Sequence, residues 1–193
     1  MKKDKHNNKS GLTLMELIVA VILLSFVFLA IGGIDIGSRK LLRSIDKETM
    51  TLMDVSPAMQ HMEKWVSLVT GDKNDLGVNL VSATEIKFKV DYSPADGSLN
   101  NTPEDYSDDV ERSYYLNGNS LIYDPNTASA GDEETLATKV TSINFEAPFV
   151  QGLDGFYVKI ELEALYDPTE SQGIDNPIVK LGTNITPRCH SIN

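Results

Sequence analysis

Residues 12–34 read LTLMELIVAVILLSFVFLAIGGI, 23 residues that carry one charge, Glu16. As a helix rising about 1.5 Å per residue, this stretch is long enough to cross a hydrocarbon core of about 30 Å. Three readings compete for it: an ordinary signal anchor, a secretory signal cut near Ala30-Ile31-Gly32, and a short leader removed ahead of a retained helix. The apolar run before Ala30 exceeds the usual secretory limit of about 15 residues, which favours retention over release.

Glu16 separates the remaining two. A carboxylate in an apolar helix costs up to about 3 kcal/mol near the membrane centre, so it wants a partner. It stands four residues after Leu12, near the membrane boundary, where a side chain that reaches the headgroups pays much less. Position alone leaves the two readings even. What lies upstream decides: a basic leader, residues 1–11, ends in Ser10-Gly11, and Leu12-Thr13-Leu14-Met15-Glu16 runs straight into the apolar helix.

This N-terminus resembles a type IV prepilin leader. The resemblance implies cleavage between Gly11 and Leu12 by a membrane-embedded prepilin peptidase, methylation of the new Leu12 amine, and a filament-assembly role for Glu16 as fifth residue of the mature chain. Gly11, Leu12 and Glu16 match the pattern; the family usually has phenylalanine where Leu12 stands. The chemistry is sensible in itself, because the cut creates an α-amine beside a helix that carries one acid. At about 4 Å and an effective dielectric near 20 an ion pair gains about 4 kcal/mol, enough to offset the burial of Glu16. That the amine comes from a neighbouring subunit is implied by the resemblance alone. So are the other partners: further pilin or pseudopilin subunits, an inner-membrane assembly platform, and the lipid bilayer.

The chain has 17 basic and 28 acidic residues over 193 positions. Residues 1–11 hold four of the lysines and one of the acids, leaving 13 basic against 27 acidic residues, a balance of −14. Such a domain repels phosphate, so nucleic acid is a poor partner. Charge does not orient the span, because Lys2, Lys3, Lys5 and Lys9 before it are matched by Arg39, Lys40, Arg43 and Lys47 after it. The leader places the N-terminus in the cytoplasm of a bacterial cell and the acidic domain on the far side of the inner membrane. Arg39, Lys40 and Arg43 then form a headgroup-facing or filament-facing collar, or a plain solvated face.

Beyond the membrane Ile45, Thr49, Leu52, Val55, Met59, Met62, Val66 and Val69 recur at spacings of three or four, the period of a helix. Unbroken, residues 12–70 make a rod of about 90 Å, ended by Gly71-Asp72. Gly32, Gly33 and Gly37 soften it, and Ser56-Pro57 either kinks it or starts a second helix. The methionines read as core filler on the apolar stripe.

After Gly71 the texture turns to short alternating segments. Ile86, Phe88, Val90 and Tyr92 predict one strand, and residues 114–116 and 121–123 flank Asn117-Gly118-Asn119 as a hairpin. Val140, Ile143 and Phe145 predict a third strand region, Phe156, Val158, Ile160 and Leu162 a fourth, and residues 178–181 a last edge. The fold class is therefore α+β, a long N-terminal helix packed on an antiparallel sheet. The expected division is 1–11 leader, 12–34 transmembrane half of the helix, 35–70 its extracytoplasmic half, and 71–193 a β-rich domain. The order YYLNGNSLIYD (114–124), LATKVTSINFE (136–146) and GFYVKIELEA (155–164) is similar to that of J-type minor pseudopilins of type II secretion and W-type minor pilins, which implies a place in a heteromeric tip or initiation complex.

The acidic stretches 93–111 and 125–134 read as surface loops. Asp105, Asp108, Asp109 and Glu111 match no EF-hand spacing, so a solvated loop is expected rather than a metal site. Cys189 is the only cysteine, which rules out an intrachain disulfide and a cysteine metal cage. The histidines, His6, His61 and His190, form no cluster in sequence, and the HExxH, GxSxG and P-loop patterns are absent. No enzyme and no cofactor is implied. A filament subunit and a single-pass membrane-anchored extracytoplasmic binding domain remain as the two classes.

Overall fold

The computed structural model describes residues 13–71, 77–92, 98, 102, 105, 107–147, 157–187 and 189–190. One helix, α1 (Leu14–Val66), is followed by ten strands: β1 (Thr70–Gly71), β2 (Val78–Ser82), β3 (Glu85–Val90), β4 (Val110–Asn117), β5 (Ser120–Asp124), β6 (Glu134–Ala137), β7 (Val140–Glu146), β8 (Val158–Leu165), β9 (Ile178–Ile185) and β10 (Cys189–His190). The chain divides into two compact units, Met1–Leu42 and Arg43–Asn193.

In the first unit the described residues are α1 and its cap. Every one of them is exposed, and the helix passes through Gly32, Gly33 and Gly37 without interruption. Among the described residues nothing covers Leu17, Ile18, Val21, Leu24 or Phe28. A helix that is apolar all round must bury itself in something other than its own domain.

The second unit holds the core. Val55, Ala58, Met59, Met62 and Val66 of α1 pack with Ile86, Phe88, Val90, Tyr114 and Leu121 on one side and Val140, Ile143, Phe145, Val158, Ile160 and Leu162 on another. These strands form two sheets rather than one. The first is an antiparallel meander ordered β2-β3-β4-β5-β6, and the second is ordered β7-β8-β9. Strict alternation explains the layering: β3 buries Ile86, Phe88 and Val90 while Glu85, Lys87 and Lys89 are half-exposed. The hairpin between β4 and β5 turns at Gly118, whose φ of +60° the Asn-Gly pair supplies without strain.

The expected apolar stripe splits in two. From Val55 onward it is core, whereas Ile45 and Leu52 are exposed and Thr51 is buried in their stead, its hydroxyl bonded to the Lys47 carbonyl at 2.9 Å. Met59 and Met62 are core filler as expected, but Met50 and Met53 face outward.

Pro57 neither splits nor ends α1. Its ring lies on the exposed side, where the carbonyl left without a donor can be hydrated. The helix stops at Val66, four residues short of the expected Thr70. There the backbone tightens: Leu68 donates to Trp65 at 3.1 Å, Val69 to Val66 at 3.3 Å, and the Ser67 hydroxyl to the Lys64 carbonyl at 2.8 Å. Val69 then bridges to Val90, and Thr70–Gly71 pairs in parallel with β10. Gly71 is therefore a strand residue, not a helix cap.

Four further strands had no clear signal: β1, β6 and β10 are short and β2 is almost wholly exposed, so their composition carries no period. The expected loop 93–111 ends earlier, because Val110 and Glu111 already belong to β4, and Glu134 opens β6.

Candidate assembly surface

Gly11 and Leu12 lie outside the described residues. Glu16 does not. The Thr13 amide donates to Glu16 Oε2 at 2.8 Å, the Thr13 hydroxyl donates to the same oxygen at 2.9 Å, and the Glu16 amide donates back to Thr13 Oγ1 at 3.3 Å. This is a reciprocal capping box, with Thr13 at the N-cap and Glu16 three residues on. It satisfies two of the amides that a helix start leaves without partners. The partner that the sequence demands for Glu16 therefore exists within the chain, and the carboxylate sits at a helix N-terminus, where the macrodipole favours it. The sequence T-x-x-E was legible for this and passed over.

Met15, Val19, Ala20 and Leu23 border Glu16 as an apolar groove along one face of the helix. In the second unit Ile45, Met50, Leu52 and Met53 are 48%, 55%, 41% and 71% exposed.

Where α1 meets the first sheet, a polar chain runs through an aromatic cluster. Trp65 Nε1 donates to His61 Nε2 at 3.1 Å, His61 Nδ1 lies 3.0 Å from the Tyr114 hydroxyl, and that hydroxyl donates to the His61 carbonyl at 3.3 Å. An indole N–H only donates, so His61 Nε2 must be the bare acceptor and Nδ1 carries the proton. Arg112 is 7% exposed; its guanidinium stands over Trp65 at 3.8 Å and Tyr92 at 5.1 Å and donates to the Tyr123 hydroxyl at 2.5 Å. Its Nε has no hydrogen-bond partner. Burial lowers the His61 pKa; Glu134 opposes this, while Lys64 and Arg112 push the same way as burial. Burial raises the hydroxyl pKa of both Tyr114 and Tyr123.

The sequence shows only that His61 clusters with no other histidine, and it did not single out Arg112. A signal was present: Val110, Arg112 and Tyr114 share a face by the period of two, which puts a charge on the inward side of β4.

In the acidic stretches the described carboxylates have local partners. Asp105 accepts from the amide and hydroxyl of Ser107, Asp109 accepts from the Thr70 hydroxyl at 2.6 Å, and Glu111 pairs with Lys87 at 3.5 Å. Among the described residues no three His, Cys, Asp or Glu side chains converge as metal ligands.

One helix in the described chain, α1, is long and apolar enough to cross a membrane, and the stretch that qualifies is wholly unburied. With the prepilin-type motif described next, this fits a single-pass inner-membrane anchor. No curated protein and no solved structure matches the chain. A family model does: residues 6–32 match the prokaryotic N-terminal methylation motif. That motif implies processing by prepilin peptidase and assembly with other pilins, the work of a structural subunit. The chain therefore carries a prepilin-type N-terminus consistent with the type IV pilin and pseudopilin superfamily.

Proposed function

We propose that this protein is a minor pilin or pseudopilin. Prepilin peptidase cuts it between Gly11 and Leu12, the Leu12 amine is methylated, and the mature subunit leaves the inner membrane for a type II secretion pseudopilus or a type IV pilus, at the tip or in initiation. The observation that carries this reading is the methylation motif at residues 6–32, whose described part lies on the stretch of α1 where every side chain is exposed. The uncovered Ile45, Leu52 and Met53 extend that helix surface past the bilayer, as a subunit that packs helix against helix requires. Glu16 would take the amine of a neighbour; the likeness of segments 114–124, 136–146 and 155–164 to J-type and W-type sequences supports the minor subtype.

The capping box favours a rival reading, because it accounts for Glu16 without any neighbour. In that reading the chain is a singly anchored extracytoplasmic binding domain. Mass spectrometry of the protein from native membranes separates the two. The expected mature N-terminus is Leu12 bearing one methyl group; an intact Met1, or a start at Gly33, overturns the filament reading. Glu16→Ala is expected to insert in the membrane normally and to be lost from filaments. Incorporation at the unaltered level would refute the charge-pairing role.

A further inference from the structure

The His61 cluster is larger than helix packing requires, and its hydrogen bonds admit one protonation state. We propose that His61, Trp65 and Arg112 form an acid-released latch between α1 and the five-stranded sheet, in which a second proton on His61 displaces Trp65 and opens the cage around Arg112.

The geometry carries the step. Nε2 of His61 is held 3.1 Å from the indole N–H that it accepts. Protonation there sets two donors against each other at hydrogen-bond distance, and one must move. His61 has little room: its ring meets Tyr123 edge-on at 4.6 Å and Tyr114 edge-on at 5.9 Å. Trp65 is the freer partner, half-buried near the end of α1. Moving it removes the ring that lies nearest the Arg112 guanidinium. A buried cation without a carboxylate depends on such a ring, since a desolvated cation–π contact contributes more than an exposed one.

The charges that face His61 make the second proton unwelcome. From its own helix comes Lys64, from β4 Arg112, and from β6 Glu134, with the neutral hydroxyls of Tyr114 on β4 and Tyr123 on β5. One anion stands against two cations. The imidazole titrates below its ordinary 6.5, because burial and these cations outweigh Glu134. An unfolded chain takes up the proton near 6.5, the folded chain only at lower pH, so stability falls as pH drops from 6.5 toward the folded value. In the proposed topology the domain meets the pH of the extracytoplasmic space; that use rests on the topology, while the latch does not.

Trp65 is the only tryptophan and reports on the step directly. The full chain in detergent micelles is titrated from pH 8 to pH 4.5 while Trp65 emission is followed. A reversible change with a midpoint below 6.5 is expected, with far-ultraviolet dichroism unaltered, and it should be lost in His61→Gln, whose amide oxygen still accepts from Trp65. In case that variant folds poorly, nitrogen-15 histidine spectra of the unmodified chain give a second readout. At pH 8 one histidine should show a proton on Nδ1 and a bare Nε2, gaining the second proton in step with the emission change. A flat Trp65 titration, a transition that survives in His61→Gln, or the absence at pH 8 of any histidine with its proton on Nδ1 would each overturn the latch.

Discussion

The guanidinium of Arg112 and the ring of Trp65 stand 3.8 Å apart, a buried cation on an aromatic face, with no acid paired to it among the described residues. Lysine cannot reproduce this contact, because its compact ammonium lacks the planar fork that stacks and bonds to Tyr123 at once. Arg112→Lys is expected to destabilise the domain by about 2 kcal/mol. Arg112→Met keeps the volume and removes the buried charge, a change that is often near neutral. Urea unfolding of both variants should rank methionine above lysine; the reverse order would mean that charge, not stacking, holds β4 to α1.

Gly77 is the backbone position least open to change. Its φ is +64°, and a Cβ built there would lie 1.7 Å from the Thr70 carbonyl oxygen. Gly77→Ala must shift β1 or the start of β2 and is expected to cost about 3 kcal/mol or more. Gly118 has a similar φ of +60° with nothing within 4 Å, so Gly118→Ala should cost about 1 kcal/mol. Equal melting temperatures for the two variants would contradict the close approach at Thr70.

Pro57 interrupts the hydrogen-bond ladder of α1 in its exposed flank. Pro57→Ala restores a donor and a helix-favouring residue, offset in part by a freer unfolded chain. A net gain of about 1–2 kcal/mol is expected, visible as a raised melting temperature. A loss would show that the proline backbone is needed to seat Met59 and Met62 in the core.

Asp109 gives the domain a pH dependence of its own. Burial raises its carboxyl pKa above the ordinary 3.8; the Thr70 hydroxyl opposes this, and Asp91 and Asp108 add to it. The folded state then holds the proton more readily than the unfolded state. Stability contributed by this group therefore falls as pH rises through the folded pKa, and the ionised form is a burden at neutrality. Asp109→Asn keeps an acceptor for Thr70 and should melt higher than the unmodified protein at pH 7, with the difference vanishing near pH 4. A difference that is the same at both values would exclude the carboxylate charge as its cause.

Much of the architecture could be read from residue spacing. The helix, the hairpin at Gly118 and strands β3, β7, β8 and β9 each announce themselves by a period of 3.6 or 2 or by an Asn-Gly turn. The split into two sheets could not be read, because Val140 and Leu121 alternate in the same way although they belong to different sheets. Nor could the helix end, where Val69 keeps the helical spacing while bonding as a strand to Val90. The entry motif was legible at Glu16, but its local chemistry was misjudged: attention to the membrane hid Thr13 three residues away. His61 and Arg112 were missed for a physical reason, since their meaning depends on Trp65, Tyr114 and Tyr123 coming together from three elements.

The capping box at Thr13 places both donors on the same carboxylate oxygen, Glu16 Oε2. Oε1 takes no part in it. If the subunit assembles as proposed, an arriving amine can add to Oε1 without displacing Thr13, so docking and helix initiation do not compete for one acceptor. A glutamine at position 16 would then be the instructive lesion: it can still start the helix, yet it offers a newcomer no charge.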